Sequence, residues 1–117
     1  MALTTAQRKH LEHRLLEERS RLMRALERYQ QGTRSTLLEG SGDVSAFPLH
    51  MADVGTDTAD REFEAANAAR QTAELAEVDA ALSRLYNHPE TFGRDERTGE
   101  PIPFERLDLI PWARNRA

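Results

Sequence analysis

At 117 residues the chain has the length of one domain, too short for a barrel or for a nucleotide domain joined to a substrate domain, which need roughly 200 residues or more. It is 38% hydrophobic and 31% charged, and its net charge of −4 argues neither for nucleic acid nor for an anionic membrane surface. With no cysteine, it has no disulfide, no Cys-ligated zinc and no thiol nucleophile.

The N-terminal stretch MALTTAQRKHLEHRL lacks the apolar core of a signal peptide, and no run of about 18 apolar residues occurs anywhere. A soluble, cytoplasmic protein is expected. Lysine occurs once, at Lys9, beside fifteen arginines, which reads as coding bias rather than a demand for guanidinium groups.

Residues 4–38 read as a first helix. Thr4 or Thr5 supplies the N-cap, and Leu11, Leu15, Leu22, Leu26 and Tyr29 form a narrow apolar stripe among charged residues. Residues 39–55 read as a loop punctuated by Gly40, Gly42, Pro48 and Gly55. A second helix is expected over 56–86, its stripe made by Leu75, Val78, Leu82 and Leu85, ending before Asn87-His88-Pro89 because proline disfavours helical geometry in the residue before it. Stripes this narrow suit a two-helix seam. The fold class is therefore all-α, with residues 1–90 an antiparallel two-helix coiled-coil hairpin of roughly 45 Å.

Residues 91–117 differ in kind and read as a small module packed on the hairpin's base. Phe92, Ile102, Phe104, Leu107 and Trp112 form its expected core, with a short β-hairpin around Arg97-Thr98-Gly99, one or two helical turns from Pro103, and Pro111 as a stop.

Charge is segregated. Between Glu39 and Glu64 lie seven acids and one base, Arg61, so the loop end of the hairpin is acidic. Asp57 and Asp60 stand three residues apart on the expected first turn of the second helix. They either compensate the helix dipole, at about 0.3–1 kcal/mol each, or form a displayed carboxylate pair. His10, His13 and Glu17 share a helical face, which reads as a solvated polar face or, with a fourth ligand, a metal site. No catalytic signature is present: no G-x-S-x-G, no lysine-bearing phosphate loop, no H-E-x-x-H. No enzyme is expected. Direct DNA binding is not expected either, since the basic residues are dispersed along the first helix.

The passages MADVGTDTADREFE, ELAEVDAALSRLYNHPETFG and TGEPIPFERLDLIPWAR resemble the DksA/TraR regulators of bacterial RNA polymerase, and the resemblance covers nearly the whole chain. The tail carries it most specifically. Where members of that family read Tyr/Phe-Gly-x-Cys-x-x-Cys-Gly-x-x-Ile and then Arg-Leu-x-Ala-x-Pro-x-Ala, this chain keeps Phe92-Gly93, Gly99, Ile102, Arg106-Leu107, Pro111 and Ala113. The resemblance implies a structural zinc site, but Asp95 and Thr98 replace the first Cys pair, Arg116 stands at the third position and the fourth falls beyond the sequence. Zinc takes four ligands, usually Cys or His, and only Asp95 is a ligand type here. The expectation is a degenerate zinc-finger-like module without a cofactor, held by its apolar cluster.

For function, the resemblance implies a non-enzymatic transcription regulator. Such a protein inserts its hairpin into the secondary channel of RNA polymerase, often together with the alarmone ppGpp. Acidic tip residues in an Asp-x-x-Asp pattern reach toward the catalytic centre, and Asp57 and Asp60 match that pattern, with Asp53 the competing tip residue. A monomer is expected. The alternative is a coiled-coil adaptor of the same ancestry that binds another protein. A metal-dependent enzyme would need the histidine face and the tip acids together, at opposite ends of the hairpin.

Overall fold

The computed structural model describes residues 3–42 and 51–117, with side chains over 3–32 and 58–117. Three helices follow in chain order: α1 (Thr5–Gly42), α2 (Met51–Asn87) and α3 (Phe104–Leu109). Among the described residues there is no strand, only one antiparallel bridge between Arg94 and Pro101. The molecule is all-α, built on two long helices.

The start of α1 follows from a reciprocal cap. The Gln7 backbone N–H donates to Thr4 Oγ1 at 3.1 Å, and the Thr4 N–H donates to Gln7 Oε1 at 3.0 Å. Two amide donors that the helix ladder leaves unpaired are thus satisfied, and Thr4 is the N-cap.

Both long helices extend further than the glycines suggest. The expected loop over 39–55 is shorter at each side, since residues 39–42 belong to α1 and residues 51–55 to α2; residues 43–50 lie outside the described residues. The reason is physical. Glycine weakens a helix by about 1 kcal/mol relative to alanine but keeps its N–H, whereas proline removes a donor and clashes with the preceding turn. The C-terminus of α2 obeys the proline rule and stops at Asn87, two residues before Pro89.

The chain divides into two compact units, Met1–Arg21 with Glu74–Ala117, and Leu22–Ala73. In the first, α1 and α2 run antiparallel: the pairings Glu12 with Tyr86 and Arg19 with Asp79 descend α2 as they ascend α1. Leu11 and Leu15 from α1 and Val78, Ala81 and Leu82 from α2 are buried, joined by Phe92, Ile102, Leu107, Pro111 and Ala113. Phe104 and Trp112, expected in the same core, are only partly buried. Leu107, expected there too, is fully enclosed, and so is Pro111.

Between α2 and α3 the chain makes a rudimentary hairpin. The Ile102 N–H donates to the Gly93 carbonyl and the Asp95 N–H to the Glu100 carbonyl, both at 2.8 Å. Gly93 sits at φ +77°, so the turn needs glycine for its dihedral, and a Cβ there would lie 2.9 Å from the end of the Leu3 side chain. In the second unit, Leu22 and Ala68 are buried. Ala25, Arg28, Tyr29 and Gly32 face Glu64, Asn67, Ala68 and Gln71 across an open groove of about 350 Å³.

Candidate functional site

The acids singled out by the sequence all lie on α2. Because α2 is already helical at Met51, well before Thr56, Asp57 and Asp60 fall beyond its first turn; Asp53 also lies on α2. The helix dipole acts within the first turn, so dipole compensation no longer accounts for Asp57 and Asp60. With Glu64 these three residues stand at i, i+4, i+7 and i+11, one face of a helix. Side chains are described from Thr58 onward. Asp60, Glu62 and Glu64 are exposed there, and Phe63 is 65% exposed. Like charges three or four residues apart oppose helix formation by about 0.2–0.5 kcal/mol per pair. A stripe of them is a local cost that folding alone does not require.

The histidine face does not assemble a metal site. His13 Nε2 lies 2.5 Å from Glu17 Oε1 in an exposed i,i+4 pair, whereas His10 Nε2 lies 2.6 Å from Asp108 Oδ1 on α3. The His10 ring also tilts against Phe104 at 5.8 Å between centroids. Beside it, Arg14 donates Nε and Nη2 to the Asp108 carbonyl at 3.2 and 3.0 Å, supplying a cation to an oxygen in the last turn of α3. These contacts dock α3 on α1. Among the described residues no group of three or more His, Cys, Asp or Glu is arranged to hold a metal ion.

A second set of contacts, which sequence reasoning missed, surrounds the C-terminal segment. Arg114 donates Nε to Glu77 Oε2 at 2.7 Å and Nη1 to Glu96 Oε1 at 2.5 Å. This guanidinium, by hydrogen bond and charge, holds the Glu77 carboxyl below the usual range. The two carboxylates in turn push Arg114 up, deeper into its charged form. Burial depresses Arg84, with the nearby Arg114 cation adding to it. Arg116 pairs with Glu100, and Arg106 Nε donates to the Asn115 carbonyl at 2.7 Å. Asp95, 9% exposed, accepts backbone N–H groups from Arg97, Thr98 and Arg116. The only hint of this in the sequence is Asp95-x-x-Thr98-Gly99, an aspartate opening a glycine turn.

A solved structure, that of transcription factor DksA2 from Pseudomonas aeruginosa, superimposes with a TM-score of 0.74 over 95% of this chain and 78% of its own, at 27% identity. Among curated proteins, General stress protein 16O of Bacillus subtilis is 36% identical over 97% of this chain.

The chain belongs to the DksA-like family.

An uncharacterised protein of Aquifex aeolicus is 35% identical over 86% of the chain, and YteA of Bacillus subtilis 33% identical over 62%. The chain spans 66%, 65% and 29% of the lengths of these three curated relatives. No family model matches it. Within the DksA-like family this chain is a member without cysteines. No helix among its described residues is long and apolar enough to cross a membrane.

Proposed function

We propose that this chain is a cytoplasmic, non-enzymatic transcription regulator that acts on RNA polymerase through its secondary channel. The part carrying Asp53, Asp57 and Asp60 would enter the channel, and the protein would act as a monomer. The observation that carries the reading is the likeness to a transcription factor along 95% of the chain. The acidic face of α2 supports it, because charges that oppose the helix locally make physical sense when they meet a cationic or metal-containing surface in a partner.

Co-purification with core RNA polymerase is the direct test, challenged by a Gre-type factor that occupies the same channel. Recovery with polymerase and displacement by the competitor are expected. The double substitution Asp57→Asn, Asp60→Asn keeps side-chain shape and removes two charges. It is expected to leave polymerase binding within about threefold, less than the factor of ten set by 1.4 kcal/mol, and to change transcript output at a responsive promoter. Output equal to the parent's, with loss instead in an Asp53→Asn variant, would assign the tip to Asp53. Failure to bind polymerase would leave the adaptor reading, in which the same fold binds another protein.

A further inference from the structure

The zinc site implied by the fold family does not fit the residues that stand in its place. Asp95 has both carboxylate oxygens committed: Oδ1 accepts the Arg97 and Thr98 N–H groups at 2.7 and 3.3 Å, and Oδ2 accepts the Arg116 N–H at 2.9 Å. Thr98 Oγ1 accepts the Glu100 N–H at 3.2 Å, and Arg116 offers a guanidinium paired with Glu100. A tetrahedral zinc needs four electron-pair donors, and here the one carboxylate at the ligand positions is met by three backbone N–H groups and the Arg97 charge. These surroundings suit an anion, not a cation.

We propose that Asp95 itself takes the metal's structural role. In a zinc knuckle, anionic ligands from separated segments converge on a cation. In this chain the polarity is inverted, and backbone N–H donors from separated segments converge on one anion. The three donors include Thr98 and Arg116, two of the positions that the resemblance assigns to ligands, and Asp95 occupies a third. The carboxylate thereby joins the 95–99 turn to the C-terminal segment across 21 residues of sequence. Hydrogen bonds to an ionised acceptor are roughly twice as strong as neutral ones, and this residue keeps only 9% of its surface exposed. The Glu96 N–H donates to the Arg114 carbonyl at 2.9 Å and extends the same junction by one bond. The apolar cluster fills the unit, but Asp95 sets the position of its last segment.

The test uses the full chain and separates the N–H of residue 116 from its side chain. Arg116→Pro removes the donor, whereas Arg116→Ala keeps it and removes only the guanidinium. Amide hydrogen exchange at Glu96 is the readout. Arg116→Pro is expected to speed exchange there by about tenfold or more, the effect of losing one charge-assisted bond, while Arg116→Ala stays within about twofold of the parent. Asp95→Asn is expected to release the Arg116 amide as well, and added zinc or a chelator to leave all rates unchanged. The proposal is overturned if the two Arg116 variants exchange alike, or if Asp95→Asn keeps the Arg116 amide protected. Chelator-sensitive exchange in the parent would overturn it too. Should Asp95→Asn fail to fold, the Arg116 pair still decides, because both variants retain Asp95.

Discussion

The guanidinium of Arg114 forks between Glu77 on α2 and Glu96 in the following turn, a geometry that a lysine's single ammonium cannot reproduce. Asp95 complements it from the other charge sign. Its carboxyl is held below the usual aspartate range, most by the Arg116 and Arg97 N–H groups. Both Asp95 and Glu77 therefore have lower pKa values folded than unfolded. Their contributions are complete above the unfolded values, about 3.9 and 4.3, and are lost as pH falls through the lower folded values. Acid titration followed by the fluorescence of Trp112, the single tryptophan, is expected to show the first unit loosening below about pH 4. The Glu77→Gln variant should show a weaker acid dependence. At this scale the sequence was a partial guide. Phe92, Ile102 and Leu107 could be read as interior from their type and spacing, whereas the partners of Arg114 and Asp95 depend on a tertiary approach that no local pattern encodes.

The long helices show what periodicity and turn chemistry each deliver. Leu11, Leu15, Leu22, Val78 and Leu82 follow the heptad-like spacing and are buried. The Thr4-to-Gln7 cap and the stop at Asn87 follow from side-chain and proline chemistry that a sequence displays directly. The helices run through Gly40 and Gly55 because glycine, though it marks loops statistically, costs a helix only about 1 kcal/mol. This difference can be measured. Since Gly55 lies within α2, Gly55→Ala is expected to raise far-UV helical signal and to stabilise the protein by about 0.4–1 kcal/mol. In a loop requiring positive φ, the same substitution would destabilise. A lower melting temperature in Gly55→Ala would therefore place the start of α2 after residue 55. The dipole argument moves with that boundary, and with it the physical standing of Asp57 and Asp60.

At the scale of the whole molecule, the first unit is assembled from the two extremes of the sequence. The contacts of His10 and Arg14 with Asp108 join residues 98 and 94 positions apart, whereas α1 and α2 are held internally by bonds four residues long. The order of events in folding follows from that contrast. Helices elongate within about a microsecond, but bringing distant segments together carries a closure entropy that grows with the intervening length. Contacts of this separation form late and slow the reaction. In stopped-flow refolding, most of the far-UV signal is expected to return before the Trp112 fluorescence, and coincident traces would rule out that order. In synthesis residues 104–109 follow the whole of α1 and α2, so the leucine and valine stripes of both helices exist before the segment that packs on them. The His10–Asp108 and Arg14–Asp108 pairings thus hold closure of the unit back until residue 108 has joined the chain.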